Sequence, residues 1–346
     1  MQALTSLHPM TTRVGLMGFG RIGRSVFRQI DERPDLEVGA IADIADHAAL
    51  AYLLRFDTIH GRFGKTVEHR EGFLVVDGAP IPMLSGADPG DVDWGAVGVD
   101  VVVQATRKHR TAAECLRHVE AGAKRVVLAS TPLDPDDMDT IIMGANDHQL
   151  DATDRVIALG SNTSNALAPV LKALDGEFGV ERAMFTVVHA FTNQSRLADV
   201  PGDDLRTSRA AAENIIPSHT TSVEIIEGVL PEFAGKLSGM ALGVPVSDGS
   251  NVDMVAMLGI PTDVETINAY MRSVATGSPV IDYTHEPIVS RDIVGDPHSA
   301  IWDGLATMVV GETMLKCVIW FDNGWGYAAR VVDAIAAFAA FDREEA

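Results

Sequence analysis

Cysteine is scarce in this sequence. Only two cysteines, Cys115 and Cys317, occur among 346 residues, which excludes a disulfide framework and the paired spacing of a cysteine metal site. Cys115 lies in a helical pattern and Cys317 in a strand-like apolar run, so we expect both thiols to be buried and structural. We expect no metal site.

The sequence also lacks long hydrophobic runs and an excess of positive charge. Its longest apolar runs, such as residues 334–341, are far shorter than the roughly 20 residues of a membrane-spanning helix. Residues 1–10 have no basic stretch leading an apolar one, as a targeting signal would. The net charge of -21 repels phosphate backbones. These absences predict a cytoplasmic protein that binds neither membranes nor nucleic acid.

The sequence contains enough apolar residues to form the cores of two domains. A hydrophobic content of 47% over 346 residues allows two cores of ordinary size. Strand and helix signals alternate in the first part, with strands at residues 99–103 and 125–128 joined by a helix at residues 111–122. This α/β alternation is typical of a doubly wound parallel sheet, the Rossmann architecture.

The pattern changes near residue 161. A helix is predicted at residues 167–174, and β-rich runs follow it. These runs are residues 183–191, 238–246, 253–258 and 314–321. They predict an α+β domain with a mixed or antiparallel sheet. We therefore predict one domain at residues 11–161, completed by a C-terminal helix at residues 324–346, and a catalytic and oligomerisation domain at residues 162–323.

A glycine-rich turn follows the first predicted strand, residues 14–17. Its first glycine permits a tight turn, the second lets the backbone approach a pyrophosphate, and the third lets the following helix pack on the strand. The predicted dinucleotide contacts are Gly18, Phe19, Gly20, Arg21, Ile22 and Gly23.

A carboxylate at the expected spacing supports this site. A second predicted strand, residues 36–42, ends in Asp43, 20 positions after Gly23 (43 - 23 = 20), where a carboxylate can bind both ribose hydroxyls. The same charge would repel a 2′-phosphate, so NAD is favoured over NADP. A later strand leads through Thr106, a further predicted cofactor contact, to a basic run that begins at Arg107. That run either binds an anion or is a solvated loop.

Several motifs resemble the phosphorylating glyceraldehyde-3-phosphate dehydrogenases, and the resemblance covers nearly the whole chain. The motifs are residues 14–24, 53–63, 122–127, 209–217 and 320–327. The resemblance implies an NAD-dependent enzyme with a small-molecule substrate and a homotetrameric assembly. The long polar segment at residues 192–214 is then expected near a subunit interface.

Site residues follow from the resemblance position by position. Asn323 matches the residue that holds the nicotinamide carboxamide, and His189 matches the family's general base. The positions that match the lining of the family's two anion sites are Ser161, Thr163, Thr192 and Thr220.

Three positions of the catalytic and substrate sites depart from the family. Asn162 stands where the family has its nucleophilic cysteine, within an ungapped match over residues 161–169. A carboxamide is neither a nucleophile nor a leaving group. Thr207 and Gly243 stand where the family usually has phosphate-binding arginines. These departures indicate a changed substrate and changed chemistry on a retained cofactor site.

Two functions remain open at this point. The first is an NAD-dependent oxidoreductase without covalent catalysis, in which His189 acts as acid–base and the Asn162 amide polarises a substrate oxygen. The second is a catalytically inactive protein that binds NAD and serves in regulation or assembly. A third option, Ser161 or Ser164 as substitute nucleophile, has no evident base beside it in the sequence.

Overall fold

The computed structural model describes residues 11–192 and 195–344. Within these residues the chain forms seven α-helices and eighteen strands. The helices are α1 (Arg21–Ile30), α2 (His47–Arg55), α3 (Ala112–Glu120), α4 (Asn162–Phe178), α5 (Ser222–Val229), α6 (Val264–Ala275) and α7 (Trp325–Glu344). The strands are β1 (Thr12–Met17), β2 (Leu36–Asp43), β3 (Phe56–Asp57), β4 (Gly61–Arg62), β5 (Val67–Arg70), β6 (Phe73–Val76), β7 (Ala79–Ser85), β8 (Val101–Gln104), β9 (Arg125–Leu128), β10 (Val156–Ala158), β11 (Val180–Ala190), β12 (Ile216–Ser218), β13 (Leu237–Val244), β14 (Ser250–Leu258), β15 (Ile281–Thr284), β16 (Ala300–Asp303), β17 (Met308–Val310) and β18 (Met314–Phe321).

The first sheet has eight strands in the order β10-β9-β8-β1-β2-β7-β6-β5. The six strands from β10 to β7 are parallel, which confirms the predicted Rossmann architecture. An antiparallel edge of β7, β6 and β5 was not predicted. Two-residue turns with left-handed backbone build it: φ is 49° and 84° at Glu71 and Gly72, and 46° and 87° at Asp77 and Gly78.

Helix α1 covers this sheet next to the glycine turn. Val26, Phe27 and Ile30 recur at helical spacing and are almost fully buried in the main core. Helix α7 packs against α1 and β9, so the end of the chain lies against the first sheet in space. Residues 345–346 of the predicted C-terminal helix lie outside the described part of the chain. The two domain boundaries stay a prediction.

The second sheet is mixed, as predicted. Its strands lie in the order β12-β13-β11-β14-β18-β16-β15, and β17 pairs with β18. Strand β11 runs parallel to β13 and antiparallel to β14. Along β14 every second residue is buried, and Val252, Met254 and Ala256 join the core, where α4 packs against this strand.

Helix α4 begins five positions earlier than the predicted helix at residues 167–174. Ser161 caps it: the Ser161 hydroxyl accepts the backbone N–H of Ser164 at 3.0 Å, and the Ser161 N–H donates to the Ser164 hydroxyl at 2.9 Å. This reciprocal cap satisfies two donors at the helix start. It fixes Asn162 in the first turn of a buried helix.

Both cysteines are fully buried, as predicted. Burial raises the pKa of the Cys115 thiol to about 12 and raises that of Cys317 as well. Neither thiol forms a thiolate at neutral pH, so neither can replace the missing nucleophile. No helix in the described residues is long and apolar enough to cross a membrane.

The polar segment at residues 192–214 folds as turns. Apart from residues 193–194, which lie outside the described part of the chain, it contains one isolated bridge, between Arg196 and Ala210. The Asp199 carboxylate accepts the Ala210 N–H at 3.0 Å and pairs with Arg209 at 3.0 Å. The segment is therefore ordered by its own side chains.

Candidate active site

The three glycines of the nucleotide turn have three different roles. Gly18 has φ of 97°, a left-handed conformation that favours glycine. A Cβ on Gly23 would lie 2.2 Å from the carbonyl oxygen of Gly18, so only glycine lets the helix start pack on the turn. A Cβ on Gly20 would meet nothing within 4 Å. The Gly20 backbone is therefore open to a ligand, as the predicted pyrophosphate contact requires.

Helix α1 presents its N-terminus to that open space. Gly20 is its N-cap and supplies no side-chain hydrogen bond. The N-terminal N–H groups of a helix without a side-chain cap bind anions well, because the helix dipole also favours negative charge. Arg21 and Ile22 line the adjoining cavity.

Asp43 lies beside the turn at the end of β2. One of its carboxylate oxygens accepts the backbone N–H of Phe19 at 2.7 Å, and the other accepts that of Ala45 at 2.9 Å. Each oxygen keeps a lone pair for a ribose hydroxyl. The Phe19 side chain packs edge-on against Phe27 in the core, so Phe19 can contact a cofactor only through its backbone.

The cofactor cavity has a volume of about 260 Å³. Its walls combine residues of the glycine turn, the end of β8 and the start of α4. The lining residues include Gly20, Arg21, Ile22, Thr106, Arg107, Ser161, Asn162, Thr192 and Asn323. The cavity thus brings together predicted cofactor residues and predicted substrate residues.

A buried polar chain positions Thr106. Trp94 Nε1 donates to His118 Nδ1 at 2.9 Å, and His118 Nε2 lies 3.0 Å from Gln104 Oε1. The Gln104 side-chain amide then donates to the Thr106 hydroxyl at 2.6 Å and to the Lys108 carbonyl at 3.2 Å. The loop after β8 is therefore held from inside the first domain.

A second cavity of about 660 Å³ adjoins the first. Ser161, Asn162, Thr192 and Arg107 line both cavities. The larger cavity also has His189, Thr163 and Thr220 in its wall, together with Thr207 and Gly243. The predicted catalytic and anion-site residues therefore converge on one space.

The Asn162 amide is oriented by two hydrogen bonds. Its Nδ2 donates to the backbone carbonyl of Asn323 at 3.2 Å, and its Oδ1 accepts the backbone N–H of Thr163 at 2.8 Å. An amide nitrogen carries two protons, so one N–H remains for a ligand.

His189 lies at the end of β11 with one ring nitrogen engaged. Its Nδ1 is 2.6 Å from the Ala190 carbonyl oxygen and 3.3 Å from Asn323 Nδ2. The shorter contact needs a proton on Nδ1, so Nε2 is the acceptor in the neutral ring. Burial lowers the pKa of His189 below its ordinary range. The ring is therefore a neutral base at pH 7.

Two sequence models of one family match this chain. Residues 12–112 match "Glyceraldehyde 3-phosphate dehydrogenase, NAD binding domain", and residues 161–323 match "Glyceraldehyde 3-phosphate dehydrogenase, C-terminal domain".

The chain belongs to the glyceraldehyde-3-phosphate dehydrogenase family.

Individual members of the family are similar over almost their full length. The glyceraldehyde-3-phosphate dehydrogenase of Geobacillus stearothermophilus is 44% identical over 330 residues, which cover 94% of this chain and 98% of the relative. Glyceraldehyde-3-phosphate dehydrogenase 1 of Bacillus subtilis (strain 168) is 42% identical over 330 residues with the same coverage. The Mycobacterium avium enzyme is 44% identical over 336 residues, again covering 94% of this chain and 98% of the relative.

Membership of the glyceraldehyde-3-phosphate dehydrogenase family settles the cofactor and the broad activity. The matched NAD binding domain contains the glycine turn and Asp43, so NAD is the cofactor. The protein is an NAD-dependent oxidoreductase of the glyceraldehyde-3-phosphate dehydrogenase type.

The anion-site hydroxyls of this family member form a chain. The Ser161 hydroxyl lies 3.2 Å from the Ser222 hydroxyl, which accepts from Thr220 Oγ1 at 3.1 Å. Ser161 and Ser164 also bond each other at 3.0 Å. In the described residues neither serine bonds a histidine or carboxylate, so neither hydroxyl has the base that a substitute nucleophile needs.

The residues of the basic run after β8 have different surroundings. Arg107 lines both cavities. His109 instead contacts Glu114 at 3.1 Å, and Arg110 donates to the Thr131 carbonyl at 3.3 Å. Of this run, Arg107 alone lines the two active-site cavities, where it can meet an anion.

Several residues of the site were not predicted from the sequence. The Ser250 hydroxyl donates to Asn323 Oδ1 at 2.6 Å and accepts the Ala190 N–H at 3.0 Å, which joins Asn323 to the strand of His189. Arg196 and Arg209 line the larger cavity, although they lie in the polar segment that the resemblance places near a subunit interface. Ser250 carried no sequence signal beyond a polar residue at a strand start.

Proposed function

We propose that this protein catalyses NAD-dependent hydride transfer on a small carbonyl or alcohol substrate without a covalent enzyme intermediate. The observation that carries the proposal is the convergence of Asn162, Asn323 and His189 at the junction of the two cavities: Asn162 Nδ2 donates to the Asn323 backbone carbonyl at 3.2 Å, and His189 Nδ1 lies 3.3 Å from Asn323 Nδ2. A proton acceptor, an amide donor and the residue that matches the nicotinamide-binding position thus lie next to one another.

The proposed roles follow from the atoms that remain free. In the oxidative direction His189 Nε2 takes the hydroxyl proton of the substrate, and in the reductive direction the protonated ring returns it. The remaining N–H of Asn162 donates to the substrate oxygen and stabilises its developing charge. The cofactor, when bound, would accept the hydride as NAD or supply it as NADH. The Gly18 turn, the α1 N-terminus and Asp43 would hold the cofactor.

The substrate is proposed to be anionic. Arg107, Arg196 and Arg209 line the larger cavity, and no described lining residue is a carboxylate. The positive lining of this cavity contrasts with the net charge of -21 of the whole chain. Arg209 is paired with the exposed Asp199, whereas no described residue pairs with the side chain of Arg107 or Arg196. A cavity of positive potential in an acidic protein concentrates anions.

The proposed chemistry differs from that of the named relatives. Their names state an activity on glyceraldehyde 3-phosphate, for which the resemblance implies a cysteine at the position of Asn162. An amide forms no thiohemiacetal and hence no thioester for phosphate to attack. Thr207 and Gly243 also stand at the two positions where the family usually has the arginines that bind the phosphate of that substrate.

We further propose a homotetramer. The outer face of the second sheet carries Met184, Met240, Met257 and Met314, which cross-strand pairing places on one side. Met184 is 68% exposed. An exposed sheet face that carries four methionines indicates a contact surface for another protein chain.

An inactive NAD-binding role is the second candidate. The observation that favours it is that both ends of the Asn162 amide are bonded within the protein. Asn162 would then stabilise the junction between α4 and Asn323 without turnover.

The experiment that separates the candidates uses a panel of substrates and measures NADH formation from NAD with small hydroxy acids and phosphorylated alcohols, and NADH consumption with keto acids and phosphorylated aldehydes. We expect one class to be turned over, and His189→Asn to lower kcat by roughly 10²–10⁴-fold with NAD affinity unchanged. Saturable NAD binding without turnover across the panel would favour the inactive role.

A further inference from the structure

Three side chains from distant parts of the sequence meet away from the two active-site cavities. They are His60 in the turn between β3 and β4, Asp248 just before β14, and Asp322 just before α7. Their ligand-capable atoms all lie within 4.8 Å of one another. We propose that these three residues bind one divalent transition-metal ion.

Asp248 and His60 supply atoms that lack partners. Asp248 is 2% exposed. Its Oδ1 accepts the N–H groups of Gly249 at 2.8 Å and Asn323 at 3.2 Å, whereas its Oδ2 is buried with no hydrogen-bond partner in the described chain. The His60 Nε2 is buried and unpartnered in the same way. Buried polar atoms without partners are costly, and each needs a ligand or an explanation.

Asp322 supplies the third ligand. Its Oδ1 accepts the N–H groups of Gly324 and Trp325, and its Oδ2 accepts only that of Gly295, at 2.8 Å. A carboxylate oxygen with one such bond keeps a lone pair for a metal. Asp322 is 1% exposed, so two carboxylates are buried side by side. Like charges at this depth repel strongly unless a cation or a proton neutralises them.

The surroundings of the cluster limit the kind of ion. A cavity of about 260 Å³ reaches His60 and Gly295, and Arg28 and Arg291 also line it. Arg28 donates to backbone carbonyls of Leu54 and Gly61. These positive charges oppose a loosely held cation, so an ion must be held by direct bonds. One imidazole and two carboxylates suit Zn²⁺ or Mn²⁺ better than Ca²⁺ or Mg²⁺.

The proposed ion would join the two halves of the molecule. His60 lies in the segment that matches the NAD binding domain, and Asp248 and Asp322 lie in the segment that matches the C-terminal domain. Asp248 also holds the backbone of Asn323. A bound ion would therefore stabilise the arrangement of the domains around Asn323. Its effect is an increase in the thermal stability of the protein, which can be measured without any substrate.

The test uses the full chain, freed of metal by chelator and then desalted. We expect Zn²⁺ or Mn²⁺ at 100 times its Kd to stabilise the protein by RT ln 101, about 2.7 kcal/mol, which raises Tm by a few degrees. Asp248→Asn keeps an oxygen for the Gly249 and Asn323 N–H groups and removes the charge. It should abolish the Tm rise and lower the bound metal from one ion per chain to none.

Two further variants secure the interpretation. His60→Gln changes a ligand from the other half of the molecule and should also abolish the Tm rise, so the test survives if Asp248→Asn fails to fold. Asp296→Asn, in the half-buried cluster of Asp282, Asp296 and His298, should leave the rise unchanged. The proposal is overturned if neither metal raises Tm, or if His60→Gln retains the rise.

Discussion

The side-chain amide of Asn162 donates a hydrogen bond of 3.2 Å to the backbone carbonyl of Asn323. The bond ties the first turn of α4 to the residue that matches the nicotinamide-binding position. It also occupies one N–H of the Asn162 amide. Any catalytic role of Asn162 must therefore use its second N–H.

The protein should prefer NAD to NADP because of Asp43. Asp43→Asn removes the charge and should weaken NAD binding by roughly 10- to 100-fold, the equivalent of losing charge-assisted hydrogen bonds of about 1.5–3 kcal/mol. It should weaken NADP binding less. Calorimetric titration measures both affinities. Asp46→Ser, which removes a nearby charge and keeps a cap for α2, is the control. NADP binding more tightly to the unaltered protein would contradict the assignment of Asp43.

Phosphorylating activity on glyceraldehyde 3-phosphate should be absent and should not return efficiently with Asn162→Cys alone. A restored thiol would face a substrate whose phosphate is not held, and misplacement of a reacting carbon costs large factors in rate. A Cβ on Gly243 comes no closer than 3.6 Å to its neighbours, so the triple change that adds Thr207→Arg and Gly243→Arg can be built. The assay follows NADH formation from glyceraldehyde 3-phosphate and inorganic phosphate. It compares the unaltered protein, Asn162→Cys and the triple variant. Robust activity of the unaltered protein would overturn the proposed role of Asn162.

His189 should titrate at lower pH than an exposed histidine. Burial lowers its pKa, so the ring stays neutral as the pH falls through about 6.5, the ordinary value. NMR of the ring nitrogens should show a midpoint below about 6.5, with the Nδ1–H tautomer at neutral pH. Oxidation of a substrate should stay constant with falling pH until this midpoint and then decline. A midpoint at or above about 6.5 would argue against the buried, neutral His189 as the base.

The buried His118 should make the protein sensitive to acid. Burial lowers the pKa of His118 to about 4, while the unfolded chain takes up a proton near 6.5. The unfolded state therefore binds more protons between these values, and stability is complete above 6.5 and is lost as the pH falls. The loss by pH 4 should reach about 3 kcal/mol of unfolding free energy.

The measurement for His118 is denaturant unfolding at pH 7.5 and pH 4, compared with His118→Gln. The stability advantage of the unaltered protein over this variant should shrink by about 3 kcal/mol between the two pH values. His148→Gln, at an exposed position, should follow the unaltered protein. An advantage independent of pH would show that His118 does not stay neutral in the fold.

The methionine face of the second sheet should mediate assembly. Met184→Glu places a charge at the centre of that face and should shift the sedimenting species from a tetramer to a smaller one. Val289→Glu, an equally apolar-to-acidic change at an exposed residue outside this face, is the control. A monomer at micromolar concentration of the unaltered protein would reject the tetramer.

Much of the fold was predictable because its signals are local. The glycine turn, the strand that ends in Asp43 and the strand Met314–Phe321 were all predicted within a residue or two, since periodicity and turn residues report burial along a short stretch of chain. The antiparallel edge β5–β7 was missed because its turns depend on left-handed backbone at Glu71 and Asp77, which residue type indicates only weakly.

The amino-acid sequence by itself determined the nucleotide turn, the cofactor and the absence of a cysteine at residue 162. Only the tertiary structure decided which distant residues meet: Asn162 with Asn323, Ser250 with the strand of His189, and His60 with Asp248 and Asp322. It also separated Arg107, in both cavities, from His109 and Arg110, which bond elsewhere. The physical reason is that local periodicity specifies which face of an element is buried, whereas the packing of two sheets against shared helices specifies what that face contacts.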